Sequence, residues 1–244
     1  MRTVTLFKRG ITGLLLVASG AAFALPELQL TIPGGTYNGS VETTIASGQT
    51  FDVYALFDPK KDSLSDTFYI SVALELGLGD SPVTGAVVNG GSFVFNGTTV
   101  NVTSGMTQGT PGALPTHGDF ATWYQDFSFQ FVNDSAHLTT AFDAQTTTPA
   151  SISGGCAINC VFFMPFSVDT SLLNSAYSIH FDLYDQATRN GSNQGVNAPF
   201  SHDAQSTAGG CTDGPCGPRQ QVPEPATWLL AALGFAGIAL ARRR

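Results

Sequence analysis

Positive charge is what this chain has least of. Its 244 residues include ten Lys and Arg against eighteen Asp and Glu, and six of the ten sit at the two ends: Arg2, Lys8, Arg9, Arg242, Arg243 and Arg244. Between the ends lie Lys60, Lys61, Arg189 and Arg219, facing seventeen acids, a net of −13. That balance repels phosphate backbones and anionic headgroups, which excludes nucleic acid as a partner. It also removes the cationic clamps used in phosphoryl transfer and carboxylate recognition. Catalytic signatures are missing as well. There is no Gly-x-Ser-x-Gly elbow, no His-Glu-x-x-His and no glycine loop closed by Lys-Ser or Lys-Thr. No long stretch has the 3.6 period of an amphipathic helix, and no fixed-length repeat is evident. These absences lead us to expect a protein that is not an enzyme and uses no cofactor.

Long apolar runs are confined to the ends. Residues 1–24 start with Arg2, Lys8 and Arg9, continue through an apolar run from Ile11 to Ala18, and close on Ala22-Phe23-Ala24. This is the layout of a signal peptide with a small-x-small site for signal peptidase, so a mature N-terminus is expected at Leu25. Leu25-Pro26 would break a helix continuing from it. At the other end Val222-Pro223-Glu224-Pro225 precedes an uncharged apolar run of sixteen residues, 226–241, and then Arg242, Arg243 and Arg244. Sixteen falls a little short of the roughly 20 residues that cross a hydrocarbon core. The arginines resist translocation, so a transmembrane helix here would leave the preceding chain outside.

This three-part tail, residues 222–244, resembles the PEP-CTERM sorting signal of Gram-negative bacteria that make exopolysaccharide. The resemblance implies recognition and processing by a membrane-embedded cysteine transpeptidase, the exosortase. Val222, Pro223, Glu224 and Pro225 would form the recognised motif, and Arg242, Arg243 and Arg244 would orient it. A plain single-pass anchor that is never processed would share the same physical pattern.

An exported chain makes its cysteines informative. Cys156, Cys160, Cys211 and Cys216 are even in number, so two disulfides are expected, with three pairings open. High effective concentration favours the local pairs, Cys156 with Cys160 and Cys211 with Cys216. Each would stabilise by about 2 kcal/mol, whereas a crossed pairing closing a loop of roughly fifty residues would contribute about 4 kcal/mol. A four-cysteine zinc site is the alternative, although no histidine stands beside any of the four.

Between the ends the hydrophobic period is two. Leu28, Leu30 and Ile32 alternate with Gln29 and Thr31; Val41, Thr43 and Ile45 follow, then Phe51, Val53, Ala55 and Phe57. Phe68, Ile70, Val72, Leu74 and Leu76 oppose Thr67, Tyr69, Ser71 and Glu75. Within 92–103, Asn96-Gly97 predicts a two-residue hairpin pairing Phe95 with Thr98 and Phe93 with Val100. Trp123, Phe127, Phe129 and Phe131 share a face, as do Phe162, Met164, Phe166 and Val168, where Pro165 suggests an edge strand or a bulge. Ile179, Phe181 and Leu183 oppose Ser178, His180, Asp182 and Tyr184. At least nine half-buried strands follow. They predict an all-β fold, an antiparallel β-sandwich (jelly-roll-like) over residues 25–205, with phenylalanines between the sheets and the other faces wet. Trp123 reads as core in preference to a sugar platform. Residues 206–221, rich in Gly and Pro, read as a linker to the tail.

The body also resembles the family called choice-of-anchor N, whose members pair one kind of exported domain with different C-terminal sorting signals. The matching pieces are Leu25-Pro-Glu-Leu-Gln-Leu30, Asp66-Thr-Phe-Tyr-Ile70, Gly91-Ser-Phe-Val-Phe-Asn-Gly97, Tyr177-Ser-Ile-His-Phe-Asp-Leu-Tyr184 and Ala198-Pro-Phe-Ser-His-Asp-Ala204. The resemblance implies a layout and no reaction.

Three His–Asp pairs are the chemical candidates: His117-Gly-Asp119, His180-Phe-Asp182 and His202-Asp203. On a strand His180 and Asp182 project from one polar face, where imidazole and carboxylate suit a transition metal or proton transfer. A site would need Asp119 or Asp203 to converge on them; a solvated face with a local hydrogen bond is the plainer reading. Asp58, Asp62 and Asp66 are oxygen donors at four-residue spacing but lack a calcium-loop pattern. Asn38, Asn96, Asn101, Asn133 and Asn190 head Asn-x-Ser/Thr triplets that read as turn and surface residues. The expected function is an exported, membrane-tethered and then exosortase-processed surface or matrix protein with a structural or adhesive role. The alternatives are a carbohydrate-binding module for exopolysaccharide and a secreted hydrolase using a carboxylate pair or a metal near His180 and Asp182.

Overall fold

Period-two alternation extends the chain into strands, and the turn residues fold those strands against one another. The structure, a computed structural model, describes residues 25–60, 62–78, 81–111, 121–186, 188–189, 192–193, 195–199 and 202–209. The first sheet runs in the order β1 (Leu28–Thr31), β4 (Thr50–Phe57), β11 (Cys160–Asp169), β6 (Ser92–Phe95), β7 (Thr98–Asn101), with β10 (Leu138–Thr140) also paired to β11. The second runs β2 (Thr36–Asn38), β3 (Thr43–Ile45), β15 (Asp203–Gln205), β12 (Tyr177–Asp185), β5 (Phe68–Leu76), β9 (Thr122–Phe129), β8 (Thr107–Gly109). β13 (Thr188–Arg189) and β14 (Ser192–Asn193) pair with each other. Helix is nearly absent among the described residues, where Ser135–His137 forms a 3₁₀ turn capped by the Asp134 side chain. No helix among the described residues is long and apolar enough to cross a membrane. The expected signal peptide, the tail, Cys211, Cys216, His117 and Asp119 lie outside the described residues.

The two sheets stack on an aromatic layer. Phe95 of the first sheet lies 6.1 Å from Phe181 of the second and 4.6 Å from Phe127, centroid to centroid. Phe57 lies 5.0 Å from Phe68 in the same way. Leu28, Leu30, Val53, Ile70, Val72, Leu74, Ile179 and Leu183 fill the spaces between the rings, all fully buried. At roughly 25 cal/mol per Å² of apolar surface, this layer is the main source of stability. Trp123 is half-buried, packs against the edge of this layer and donates its indole N–H to Gly85 O at 3.1 Å.

The hairpin forms in the expected register, Phe95 opposite Thr98 and Phe93 opposite Val100. Asn96 and Gly97 take φ of 46° and 77°, the positive values that a tight primed turn requires. Two expectations need correction. The sheets are not purely antiparallel, because β15 joins β3 in parallel while pairing antiparallel with β12. Its direction is set by β12, and β3 meets whatever edge that leaves. Pro165 also lies in an interior strand, β11, paired with Tyr54 of β4. On the opposite side β10 reaches Phe162 and β6 begins at Val168, so the proline falls in the gap between them. Ser167 O accepts a bond from Asn96 N on that side. By the period of two, Pro165 turns its missing N–H the same way, where no ladder bond is lost.

Outside the first sheet a smaller cluster, Leu56, Val161 and Phe163, is covered by Ala141, Phe142 and Ile152. The Cys156–Cys160 disulfide closes the end of this covering loop where it enters β11. Of the open pairings the local one is therefore formed at this pair, and these two cysteines make no zinc site.

Candidate functional site

Because Ile179, Phe181 and Leu183 enter the aromatic layer, Ser178, His180, Asp182 and Tyr184 must leave β12 on its other face. Register then decides what they meet. Asp182 pairs with Ser71 of β5, and Ser71 with Asp126 of β9. On the other flank His180 pairs with Gln205 and Phe181 with Ala204, which sets Asp182 opposite Asp203. A row of Asp203, Asp182, Ser71 and Asp126 thus crosses four strands on the outer face of the second sheet. The next row holds Gln205, His180, Ala73 and Tyr124, and beyond it Ser178 stands opposite Glu75.

This face was expected to be wet, but over β15, β12 and β5 it is buried, while Tyr124 and Asp126 of β9 are partly exposed. His180 is 5% exposed, Asp182 6%, and Asp203, Ser71 and Glu75 0%. Period two tells which face is polar, whereas whether water reaches that face depends on what the rest of the chain lays over it. Burial makes each polar group here depend on the hydrogen bonds and charges around it. Gln205 Nε2 donates to Glu75 Oε2 and, at 3.0 Å, to Ser178 Oγ. Ser178 Oγ in turn donates to Gly77 O. Tyr69 and Tyr184 stack at 5.3 Å beside the acid row.

His180 Nε2 stands between two carboxylates, 3.3 Å from Asp182 Oδ1 and 3.6 Å from Asp203 Oδ2. Burial by itself would lower the imidazole pKa, but the Asp182 and Asp203 charges more than offset it and hold His180 well above its usual value. Burial pushes the Asp126 carboxyl upward, and the Asp182 charge adds to that. The Ser71 and Tyr184 hydroxyls lie close enough to Asp126 to pull partly the other way, short of full hydrogen-bond geometry. Burial, then the Asp126 charge, raises the Tyr184 phenol strongly.

The other candidates resolve differently. His202 and Asp203 are neighbours in sequence but part company: Asp203 faces His180, while His202 Nε2 meets Asp143 Oδ1 at 3.0 Å. Burial lowers the His202 pKa, and Asp143 offsets part of that shift. His137 Nδ1 meets Asp134 Oδ1 at 2.7 Å, a third His–Asp contact that lay three residues apart in the sequence and was not anticipated. Of the Asp58, Asp62 and Asp66 series, Asp58 pairs with Lys60 at 3.2 Å. Asp62 and Asp66 instead gather with Asp185, with carboxylate oxygens within 4.8 Å of one another. Asp185 Oδ1 accepts from Val196 N at 2.6 Å and Asp66 Oδ2 from Ser63 N at 2.7 Å, so these acids tie loops to the end of β12.

Sequence reasoning found His180 and Asp182 and named Asp203 as a partner that could converge on them. It missed Ser71, Glu75, Asp126 and Gln205. Their signal was present as polar residues at the outward positions of their strands. Turning that signal into a site needs the strand order β15, β12, β5, β9, which no local pattern encodes.

Known proteins bear on the tail alone. The family profile described as the PEP-CTERM protein-sorting motif matches residues 221–244. No curated protein matches the chain, and no solved structure does. Like other chains that carry this motif, the protein is marked for export, for tethering at its C-terminus and for recognition by an exosortase before processing.

Proposed function

We propose that the chain is a non-enzymatic component of the cell surface or the exopolysaccharide matrix, with a structural or adhesive role. The observation that carries this reading is the sorting motif at residues 221–244. In the proposed sequence signal peptidase cuts after Ala24, the helix of 226–241 holds the chain in the inner membrane, and exosortase processes the Val222-Pro223-Glu224-Pro225 tail. A body built as two stacked sheets with the Cys156–Cys160 staple suits an oxidising, mechanically exposed setting. Cys211 and Cys216 would add a second staple in the stalk. The resemblance of the body to choice-of-anchor N domains supports the same layout.

Intact-mass analysis of the protein from cells with and without the exosortase tests the reading. We expect loss of residues 1–24 in both strains, four oxidised cysteines, and removal of the tail only where the enzyme is present. Identical C-termini in the two strains would refute processing.

One observation favours the carbohydrate-binding alternative. A groove of about 170 Å³ beside the β6–β7 hairpin is lined by Thr98, Thr99, Val100, Asn101, Gln125 and Phe127, among others, so hydroxyls and amides stand beside a valine and one aromatic ring. A glycan array with the exported protein would show saturable binding weakened by Gln125→Ala if that groove takes sugar. A blank array would discard this alternative.

A further inference from the structure

The buried part of the second sheet's outer face gathers one imidazole and two carboxylates. Asp182 and Asp203 stand opposite each other on neighbouring strands, and both are buried. Among the described residues the basic group set between them is His180. Its distances are longer than those of two other His–Asp contacts among the described residues. His137–Asp134 and His202–Asp143 close to 2.7 and 3.0 Å, as hydrogen bonds do. His180 Nε2 stays at 3.3 and 3.6 Å from its two carboxylates. Charge-assisted N–H···O bonds usually close to about 2.7–2.9 Å.

Those separations fit a different geometry. Nitrogen and oxygen ligands bind Zn²⁺ at about 2.0–2.2 Å, so two donors at a tetrahedral angle lie about 3.4 Å from each other. One atom from each of His180, Asp182 and Asp203 lies within 4.8 Å of the other two, all three residues being buried. We propose that His180 Nε2, one Asp182 carboxylate oxygen and one Asp203 carboxylate oxygen bind a zinc-class divalent ion, a water completing a four-coordinate shell. One imidazole and two carboxylates suit a borderline transition ion; Ca²⁺ takes six to eight oxygens at longer distances. The ion's two charges offset the facing carboxylates and clamp β15, the last strand of the second sheet in sequence, onto β12. Gln205, held by Glu75 and Ser178, fixes β15 from the other end, so the donors arrive pre-positioned. This site goes beyond the surface role proposed above, and it can fail without touching that role.

The full chain purified in detergent from the envelope fraction serves as the sample. Elemental analysis should find about one equivalent of a divalent transition metal. Chelation should lower the melting temperature and added ZnCl₂ restore it. Asp203→Asn should bind Zn²⁺ at least tenfold more weakly and lose most of the chelator response, while Asp66→Asn, in the other acidic cluster, should bind as wild type. If Asp203→Asn fails to fold, the wild type loaded with Co²⁺ decides, since a four-coordinate site gives strong visible absorption. Four results would each overturn the site: no metal on isolation with no melting shift on adding Zn²⁺ or Mn²⁺, unchanged binding in Asp203→Asn, lost binding in Asp66→Asn, or a Co²⁺ form without that absorption.

Discussion

Across β15, β12 and β5 the second sheet is buried on both faces, and the two interiors obey different rules. Toward the first sheet lie Phe68, Ile70, Val72, Leu74, Ile179, Phe181 and Leu183, whose contacts are non-directional. There, area and volume are what count. On the other face lie Ser71, Glu75, Ser178, His180, Asp182, Asp203 and Gln205, where each atom's partner counts. The aromatic side is expected to supply most of the stability, in proportion to its buried area. The polar side contributes less net stability but specifies one register, because shifting β12 by a residue would drive carboxylates into the aromatic layer.

Three changes would break or sharpen this contrast. The largest effect is expected on the aromatic side. Phe181→Ala removes a fully buried ring that meets Phe51 and Phe95, each at 6.1 Å between centroids. Urea denaturation should show a loss of about 3–5 kcal/mol. A loss under 1 kcal/mol would mean that the layer is not the main source of stability. On the polar side, Gln205→Ala removes the amide that joins Glu75 to Ser178. The expected loss is about 1.5–3 kcal/mol, since one of these bonds is to a carboxylate. No loss would show that β15 is held without that amide.

The smallest effect comes from a like pair in water. Asp134 caps the 3₁₀ turn and bonds His137, which lowers its carboxyl below the ordinary 3.8. A folded-state value below the unfolded one means stability that is present above pH 3.8 and lost as pH falls through the lowered value. The melting-temperature gap between wild type and Asp134→Ala should therefore be small at neutral pH and close in strong acid. A gap that widened in acid would reverse the sign of this linkage.

Much of the fold could be read directly from alternation. The Asn96-Gly97 hairpin, the face shared by Trp123, Phe127 and Phe129, and the polar stripe on β12 are all local patterns, and each appears in the structure as expected. Pro165 shows the limit. Its ring implies a missing ladder bond, yet only the relative lengths of β10 and β6 reveal that an interior strand can supply a local gap. The site shows the same limit more sharply, because Asp203 lies twenty-one residues beyond Asp182 and meets it only through the pairing of β15 with β12.

The sequence by itself determined that this protein is marked for export and which residues seek oil. A sorting signal is read as a linear string, and a strand's two faces are set by the alternation of its own side chains. The tertiary structure alone decided that the polar face is buried over β15, β12 and β5 and which acids stand together on it. Those outcomes depend on the order and register of strands distant in sequence, which arise from packing the whole chain at once.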